Sequence, residues 1–450
     1  MKCISCGAEL AFDPKTQKLK CEYCKTEYDP KEYKEKSKKA IESTVDTSLY
    51  TCTQCGAKLL TFDETAVTFC SYCGSSMVLD SKINKEHVPE LVVPFKITKE
   101  ECEKLYKKKI KKYLFAPKSM KDDIVISKFR GIYMPFAIYD IEHHGSQFHR
   151  GSKYAYHFGN YDYYKDYQVT TDVDCSYKGI QYDLASNFSD KFSQAIIPFD
   201  LKDAVPFDTK YMSGFYADAK DVDDNTYSSD SLNAVKPIAN MEYVNKCNLS
   251  RYGCSFAKMP MDVTDIKVAY LPVYFLAIKN KKNNRLNYAV INGQNGKIAV
   301  ELSIDFKKYL LFTIILSAIL FLIVNAKVFL LPTEILPLSL FSAILSLIIS
   351  LVEHSKLKKH DNYSDDKGYK IKNKIEKSKI KAKIWKQIIA ILIFFITKIL
   401  NPVNDIYYYI AVISSLLLVI WSFYDLIDQY NKLTSRKPNQ LLKRGGDERE

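Results

Sequence analysis

Eight of the twelve cysteines in this 450-residue chain occur as four Cys-x-x-Cys pairs near the N-terminus. The pairs form two units with the same internal spacing, so that each cysteine of the first unit recurs 49 residues later. The eight residues are Cys3, Cys6, Cys21 and Cys24, then Cys52, Cys55, Cys70 and Cys73. The sequence Gly-Ala-x-Leu follows both Cys6 and Cys55. Self-similarity at a fixed offset indicates a duplicated structural unit.

Four thiolates at this spacing are typical of a structural zinc site. Two Cys-x-x-Cys turns on facing β-hairpins complete a tetrahedron, with Zn–S distances of about 2.3 Å. A unit this small has little hydrophobic core, so bound metal would supply its folding free energy. Four protein ligands also leave no coordination position for a catalytic water. We therefore predict zinc ribbons at residues 1–28 and 50–80, each with one structural Zn²⁺; a disulfide framework and a dithiol redox site are the alternatives.

The net charge of +13 would suit a nucleic-acid-binding protein, but its distribution does not. Residues 1–80 carry a net charge of −1, residues 81–120 of +6, residues 121–308 of zero and residues 309–450 of +8. A zinc ion with four thiolates adds a formal charge of −2 to each ribbon. Contacts with phosphate need Lys and Arg. The ribbons are therefore predicted to bind partner proteins rather than nucleic acid.

A linker at residues 29–49 separates the ribbons, and a basic linker at residues 81–120 follows them. Within the second linker, Thr98 and Glu101 form a capping-box pattern that predicts the start of a helix. Tyr106, Ile110 and Leu114 fall on one stripe of that helix. We expect a helix packed on the core, with contact to anionic lipid as the alternative.

Residues 121–306 have the pattern of a β-rich, α+β soluble domain. Alternating side chains predict a strand at residues 169–177, and three runs at 270–278, 286–291 and 297–302 predict an antiparallel meander. The histidines of this region are expected in a surface loop; they are His143, His144 and His149. The sequence contains no Walker A or Gly-x-Ser-x-Gly pattern, so we predict that the chain is not an enzyme.

Residues 307–430 contain four long apolar runs, at 309–331, 338–352, 385–400 and 406–427. Spanning a bilayer needs about 20 apolar residues, so the runs predict an all-α membrane region of four helices arranged as two hairpins. A short turn is expected at residues 332–337. None of the runs has an ionisable residue at its middle, which favours an anchor or an oligomerisation bundle over a transport pathway.

The loop charges predict the orientation of this region. Residues 353–383 carry eleven lysines, and the tail at 431–450 is also basic, whereas the turns at 332–337 and 401–405 have neither Lys nor Arg. The positive-inside rule then places both termini in the cytosol. The N-terminus has the composition expected of a chain without a signal peptide. We therefore predict a multi-pass protein of the inner cell membrane with reduced cysteines.

Several segments resemble those of a family of bacterial TFIIB-type zinc-ribbon membrane proteins. They are VPFKI at residues 93–97, GIYMPF at 131–136, YMSGF at 211–215, LPVYFL at 271–276 and VINGQNGK at 290–297. The resemblance covers residues 50–306; Ala137 and Tyr274 stand where members commonly have tryptophan.

Some relatives are encoded beside phage-shock (PspA-like) and SPFH/band-7 proteins. By analogy, the resemblance implies a membrane-anchored scaffold that recruits such partners in envelope stress or membrane organisation. A replication accessory protein that binds nucleic acid and a transporter subunit are the alternatives. Homo-oligomerisation is compatible with each of them.

Overall fold

The N-terminal segment forms a small antiparallel sheet of its own. In the computed structural model its strands are β1 (Leu10–Asp13), β2 (Lys18–Cys21) and β3 (Glu27–Tyr28). Phe12 on β1 is buried and meets Tyr211 edge to face at a centroid distance of 5.4 Å. Ser213 donates a hydrogen bond from Oγ to the Leu10 carbonyl at 2.5 Å. The first cysteine unit is thus docked on the β-rich domain.

The structure describes residues 1–33, 44–52, 57–61, 70–72, 77–87, 89–185, 188–247, 251–253, 261–280, 285–325, 332–362 and 384–435.

A second, mixed sheet of twelve strands runs through the described part of the chain from residue 44 to residue 300. The strands are β4 (Thr44–Cys52), β5 (Lys58–Thr61), β6 (Met77–His87), β7 (Leu91–Val92), β8 (Arg130–Phe158), β9 (Tyr161–Asp183), β10 (Val205–Pro206), β11 (Tyr216–Asp218), β12 (Arg251–Gly253), β13 (Met261–Asn280), β14 (Arg285–Asn292) and β15 (Ile298–Val300). Its main path is β10-β7-β13-β8-β11-β5-β4-β6, while β9 and β12 pair with β8, β14 with β13, and β15 with β14. The predicted meander corresponds to β13, β14 and β15, and the strand predicted at residues 169–177 lies within β9.

Eight α-helices lie in the described residues. They are α1 (Lys99–Lys111), α2 (Asp123–Ile126), α3 (Asp190–Ile196), α4 (Ser228–Cys247), α5 (Phe306–Asn325), α6 (Pro332–Asn362), α7 (Trp385–Leu400) and α8 (Asp405–Leu433).

Helix α1 begins with the predicted capping box. Thr98 Oγ1 accepts from the Glu101 backbone N–H at 3.3 Å, and the Glu101 carboxylate accepts from the Thr98 N–H at 2.9 Å. Tyr106 and Ile110 are buried in the core, which confirms the core-packed interpretation. Leu114 lies past the end of the helix and is exposed.

Phe95 packs against four of the segments singled out in the sequence, at residues 131–136, 211–215, 271–276 and 290–297. Its ring stacks on Phe215 at 4.2 Å and meets Tyr133 and Tyr274 edge to face. A Cβ added to Gly293 would lie 2.5 Å from the Phe95 ring. These segments are therefore core-forming, and the glycine is required because the aromatic ring occupies the space of a side chain.

Strands β8 and β9 form a hairpin that extends far beyond the rest of the sheet. Strand β13 accompanies β8 only as far as the pair Met261↔His143. Residues 144–158 continue past that point, a path of about 50 Å at the usual rise of a strand. In the described residues, the three-residue strand β12 is the only further neighbour of β8 along this stretch.

Helices α6, α7 and α8 pack together as a bundle. Two small apolar clusters hold it, one around Leu336 and Val412 and one around Ala343, Ala390 and Val419. Two helical segments in the described residues, Ile335–Leu357 and Asp405–Leu433, are long and apolar enough to cross a membrane.

Two local predictions differ from the structure. His143, His144 and His149 lie on strand β8 instead of a loop, and His143 is fully buried, because the hairpin continues through this stretch. Residues 332–337 open helix α6 instead of forming a turn: Pro332 occupies the first helical position, where its missing N–H is not needed, and Pro337 follows within the helix.

Two elements cross boundaries drawn from the sequence. Strand β6 continues past residue 80, the predicted end of the second ribbon, and α8 continues past residue 430, the predicted end of the membrane region.

Candidate metal centre

The structure brings the first four cysteines into one cluster. The sulfur atoms of Cys3, Cys6, Cys21 and Cys24 all lie within 4.8 Å of one another. The Sγ–Sγ distances are 3.5 Å for Cys3–Cys24 and for Cys6–Cys21. Four sulfurs around a tetrahedral zinc ion would be separated by about 3.8 Å. The cluster can therefore hold one metal ion.

Each Cys-x-x-Cys pair of this cluster is held in the same tight turn. The N–H of Gly7 donates to the Cys3 carbonyl at 2.8 Å, and the N–H of Lys25 donates to the Cys21 carbonyl at 3.0 Å. Gly7 and Lys25 both have positive φ, 76° and 61°, and each directly follows the second cysteine of its pair. This backbone reversal turns both thiols of a pair towards one point. Lys25 adopts a conformation that favours glycine.

Hydroxyl groups lie beside two thiols of the cluster, Cys3 and Cys24, and favour their ionised form. The Tyr28 hydroxyl, 3.4 Å from Cys3 Sγ, is the main cause that lowers the pKa of Cys3 to about 6. Ser5 Oγ lies 2.8 Å from the same hydroxyl. The Thr26 hydroxyl, 3.1 Å from Cys24 Sγ, lowers the pKa of Cys24. Because metals bind the thiolate, this environment prepares the cluster for a cation.

The second cysteine unit is described in part. Cys52 and Cys70 are buried, whereas Cys55 and Cys73 lie outside the described residues. The N–H of Cys52 donates to the Ala57 carbonyl at 2.9 Å, which repeats the bond from Cys3 to Ala8 at 2.7 Å in the first unit. The two units therefore share the backbone hydrogen bond that joins the first cysteine to the alanine five residues later.

The two units differ in their surroundings. Tyr23 and Tyr72 occupy equivalent positions in the repeat, yet Tyr23 is 82% exposed and Tyr72 is 1% exposed. The Tyr72 ring packs on Phe275 at 4.9 Å, and its hydroxyl donates to the buried Asp218 carboxylate. Strand β5 pairs with β11 through Leu60↔Ala217. The second unit is built into the large sheet, which the repeat in the sequence does not reveal.

Comparison with known proteins gives one informative similarity. The chain is 24% identical over 303 residues to YdjG of Bacillus subtilis strain 168, a protein described as uncharacterized; the match covers 66% of this chain and 88% of YdjG. No family model matches the chain, and no solved structure matches it.

Proposed function

We propose that this chain is a membrane-anchored zinc-ribbon scaffold that recruits partner proteins, of the TFIIB-type ribbon class that its recurring segments resemble. Each of the two cysteine units holds one structural Zn²⁺, and helices α5 to α8 anchor the chain in the inner membrane with both termini in the cytosol. The clustered sulfurs of the first unit and the two apolar helices support this proposal. PspA-like or SPFH-type proteins are the expected partners, by analogy alone.

The observation that carries the recruiting role is the end of the β8–β9 hairpin. Six large aromatic side chains of this end are exposed, and we call them the aromatic tip: Tyr154, Tyr156, Phe158, Tyr161, Tyr163 and Tyr167. Phe158 and Tyr161 flank the turn and are each 72% exposed. Tyr156 and Tyr163 stack across the strands at 4.8 Å. Exposed aromatic clusters of this kind mark interaction sites.

The hairpin needs a partner for a second reason. An isolated two-stranded ribbon is only marginally stable in water, because it buries little apolar surface. Both strands are largely exposed along residues 153–167. Strand β9 pairs only with β8 in the described residues, so its outer edge is available to a partner strand. A bound protein would cover both the aromatic tip and this edge.

The position of the hairpin favours a cytosolic partner. The opposite end of the sheet is attached to the bundle: Arg285 at the start of β14 donates to the Ser435 carbonyl at 2.6 Å, just past the end of α8. Strand β8 begins at Arg130, opposite Phe275 near this attached end, and runs away from it. The aromatic tip thus lies at the far end of the strand from the anchor.

Substitution of the aromatic tip tests the proposal. The double variant Phe158→Ser and Tyr161→Ser, in the full-length protein purified in mild detergent, should lose co-purifying proteins by about tenfold, as expected when hot-spot aromatics are removed. Ile238→Ser on α4 is the matched control, since Ile238 is also exposed on the soluble part and α4 packs at the base of the hairpin, against Ile141 and Val173, away from its end. Equal recovery of partners by both variants would contradict the recruiting role of the tip.

DNA binding by the same purified protein distinguishes the scaffold from the nucleic-acid-binding alternative. Non-specific DNA binding has a Kd of about 10⁻⁴ to 10⁻⁶ M at physiological salt. A Kd tighter than this range, together with a preparation that carries no partner protein, would favour a replication accessory role over the scaffold.

A further inference from the structure

Helix α1 leads from the turn between β14 and β15 to the start of α5. Leu105 lies against that turn, where its Cδ1 atom is 2.9 Å from the position of a Cβ added to Gly296. Ten residues later, the Phe115 ring meets Tyr309 and Phe312 of α5 edge to face, at centroid distances of 5.4 and 5.3 Å. The C-terminal end of α1 therefore points along the first apolar helix of the bundle.

Two hydrogen bonds hold this end of α1 in place. The N–H of Asp305, the residue before α5, donates to the Phe115 carbonyl at 2.8 Å. The ammonium of Lys308, in the first turn of α5, donates to the Ala116 carbonyl at 2.6 Å. Because both donors lie where α5 begins, residues 115 and 116 are fixed at the level at which the chain enters the bundle.

That level lies beside the end of the apolar part of α8. Phe306, the first residue of α5, meets Tyr424 of α8 edge to face at 4.9 Å. Tyr424 lies near the end of the apolar run at 406–427. Helix α8 is one of the two segments long and apolar enough to cross a membrane. With α8 in a bilayer, as proposed above, Phe306 and the end of α1 lie at the membrane surface, where aromatic side chains are common.

The chain is strongly basic around this level. Residues 104–121 contain eight lysines and neither Asp nor Glu. Among the described residues, the one ion pair that these lysines form is Lys107–Asp123, at 2.7 Å. Asp305 is close in space, but its carboxylate accepts a hydrogen bond from the Lys307 N–H at 3.0 Å and caps α5. Four exposed lysines lie within four residues of Phe115 or in the first turn of α5, and we call them the juxtamembrane lysines: Lys111, Lys112, Lys118 and Lys307.

An exposed apolar side chain stands among these lysines. Leu114 follows the helix and is 63% exposed, whereas Tyr106 and Ile110 on the apolar stripe of α1 are buried in the core. The stripe therefore cannot lie on lipid, and only the end of the helix remains for such a contact. Lysines that meet phosphates beside an apolar side chain that enters the acyl boundary are typical of binding to an anionic membrane surface.

We propose that the end of α1 binds anionic phospholipid in the cytosolic leaflet: the juxtamembrane lysines contact the lipid phosphates, and Leu114 enters the boundary of the acyl chains. The chain thus has a lipid-recognition site in its soluble part, in addition to the bundle that anchors it. The inference rests on the membrane anchoring proposed above.

Site-specific crosslinking to lipid tests this contact. Leu114→benzoylphenylalanine is placed in the full-length protein, which is reconstituted in vesicles of phosphatidylcholine with a minority of phosphatidylglycerol. After irradiation, lipid adducts on the peptide that contains residue 114 are measured by mass spectrometry. We expect adducts in which phosphatidylglycerol exceeds its share of the bilayer severalfold, because each lysine near an anionic surface contributes a factor of about five.

Two pairs of lysine variants show which charges are responsible. Lys111→Gln with Lys112→Gln, at the end of α1, should remove most of the enrichment of phosphatidylglycerol at residue 114. Lys99→Gln with Lys104→Gln is the matched control, since both lysines are exposed on the same helix. Lys104 precedes Lys111 by two turns, about 10 Å. That is more than the Debye length of about 8 Å at physiological salt, so the control should keep the enrichment.

A second crosslinking position separates failure of this inference from failure of the anchor. Ile348→benzoylphenylalanine lies on α6, where Ile348 is 53% exposed in the middle of an apolar segment. Adducts at 348 without adducts at 114 would overturn the lipid contact of α1 and leave the anchor intact. Adducts at 114 that contain phosphatidylglycerol only at its bulk share, or equal loss of enrichment in both lysine pairs, would overturn recognition of the anionic headgroup. Absence of adducts at 348 would instead refute the membrane location.

Discussion

The Tyr28 hydroxyl controls how easily Cys3 loses its proton. Its hydrogen bond lowers the pKa of Cys3 to about 6, so that this thiol is ionised at neutral pH before a metal arrives. Groups outside the ligand set commonly change metal affinity by about 10–100-fold. Tyr28 is therefore part of the candidate metal centre although it is not a ligand.

Removal of this hydroxyl should weaken metal binding most at mildly acidic pH. In Tyr28→Phe the pKa of Cys3 rises towards the usual value of a thiol, so protons compete with the metal at higher pH than in the wild type. We expect the midpoint of metal release on acidification to shift upward, measured with a chromophoric chelator between pH 7 and pH 4.

Tyr23→Phe is the control for this prediction, because Tyr23 occupies the same unit but is exposed. A release profile of Tyr28→Phe that coincides with those of Tyr23→Phe and the wild type would show that the hydroxyl has no influence on the metal centre.

The residues of a site can be predicted from the sequence where short spacings along the chain bring them together. Cys3, Cys6, Cys21 and Cys24 could be grouped from spacing alone, because each pair is held by one turn. Tyr28 could not be assigned to the site in this way, since the position of its hydroxyl near a thiol depends on how β3 pairs with β2. The partners of Tyr72 and Phe115 were equally hidden, because each lies far away along the chain.

At the scale of the secondary-structure elements, the surroundings of Phe95 show how closely these short sequence segments pack against one another. The Phe95 ring lies between Gly293 of one motif and Phe215 of another. Gly293 does not have positive φ, so its requirement for glycine is purely one of space. A pattern of short motifs in the sequence thus becomes one packing unit in the fold.

Gly293→Ala should destabilise the β-domain by about 1–3 kcal/mol, the usual cost of overpacking a core. The added Cβ would lie 2.5 Å from the Phe95 ring, well inside contact distance. The free energy of unfolding is measured by chemical denaturation followed by far-UV circular dichroism.

In the Phe95→Leu background, Gly293→Ala should lower the free energy of unfolding by less than it does in the wild type, because the smaller side chain makes room for the methyl group. If the effects of the two substitutions simply add, the clash with Phe95 is not the cause of the instability.

Secondary structure could be predicted where a periodic run ends in clear boundaries. Residues 385–400 coincide with α7, and Thr98 marks the start of α1. The extended hairpin was missed, because residues 143–160 lack strong alternation of apolar and polar side chains. Its register is set by pairing of β8 with β9 and β13, which no local pattern encodes.

At the scale of the whole molecule, the large sheet connects parts that the sequence presents as separate domains. Arg285 donates to the carbonyls of Lys432 and Ser435 at 2.6 Å, which stabilises the negative C-terminal end of α8. Asn431 exchanges two hydrogen bonds with the backbone of Ile304 at 2.7 and 2.9 Å. The bundle is therefore attached to the β-domain at two neighbouring points, Arg285 in the sheet and Ile304 after its last strand.

The second cysteine unit joins the same sheet from the other side. Its strands β4, β5 and β6 continue the main path beyond β11, and Cys52 and Cys70 lie in a core cluster with Phe136 and Phe275. The sequence suggested that each unit folds independently around its own metal. The pairing of β5 with β11 predicts instead that the second unit and the β-domain unfold together.

Loss of a metal ligand from either cysteine unit should therefore have unequal consequences. Full-length protein should contain two zinc equivalents, and Cys6→Ser and Cys52→Ser should each contain one, measured by plasma emission spectrometry on reduced, zinc-supplemented preparations. Cys6 is exposed and belongs to the unit that has its own three-stranded sheet, so its replacement should melt the first unit and leave the large sheet mostly intact. Cys52 is buried in the core, so Cys52→Ser should lower the free energy of unfolding of the β-domain by at least about 2 kcal/mol.

Protease resistance of residues 121–306 distinguishes the two variants without relying on the metal content. Equal resistance of Cys52→Ser and Cys6→Ser would mean that the second unit folds separately, despite its strands lying in the shared sheet.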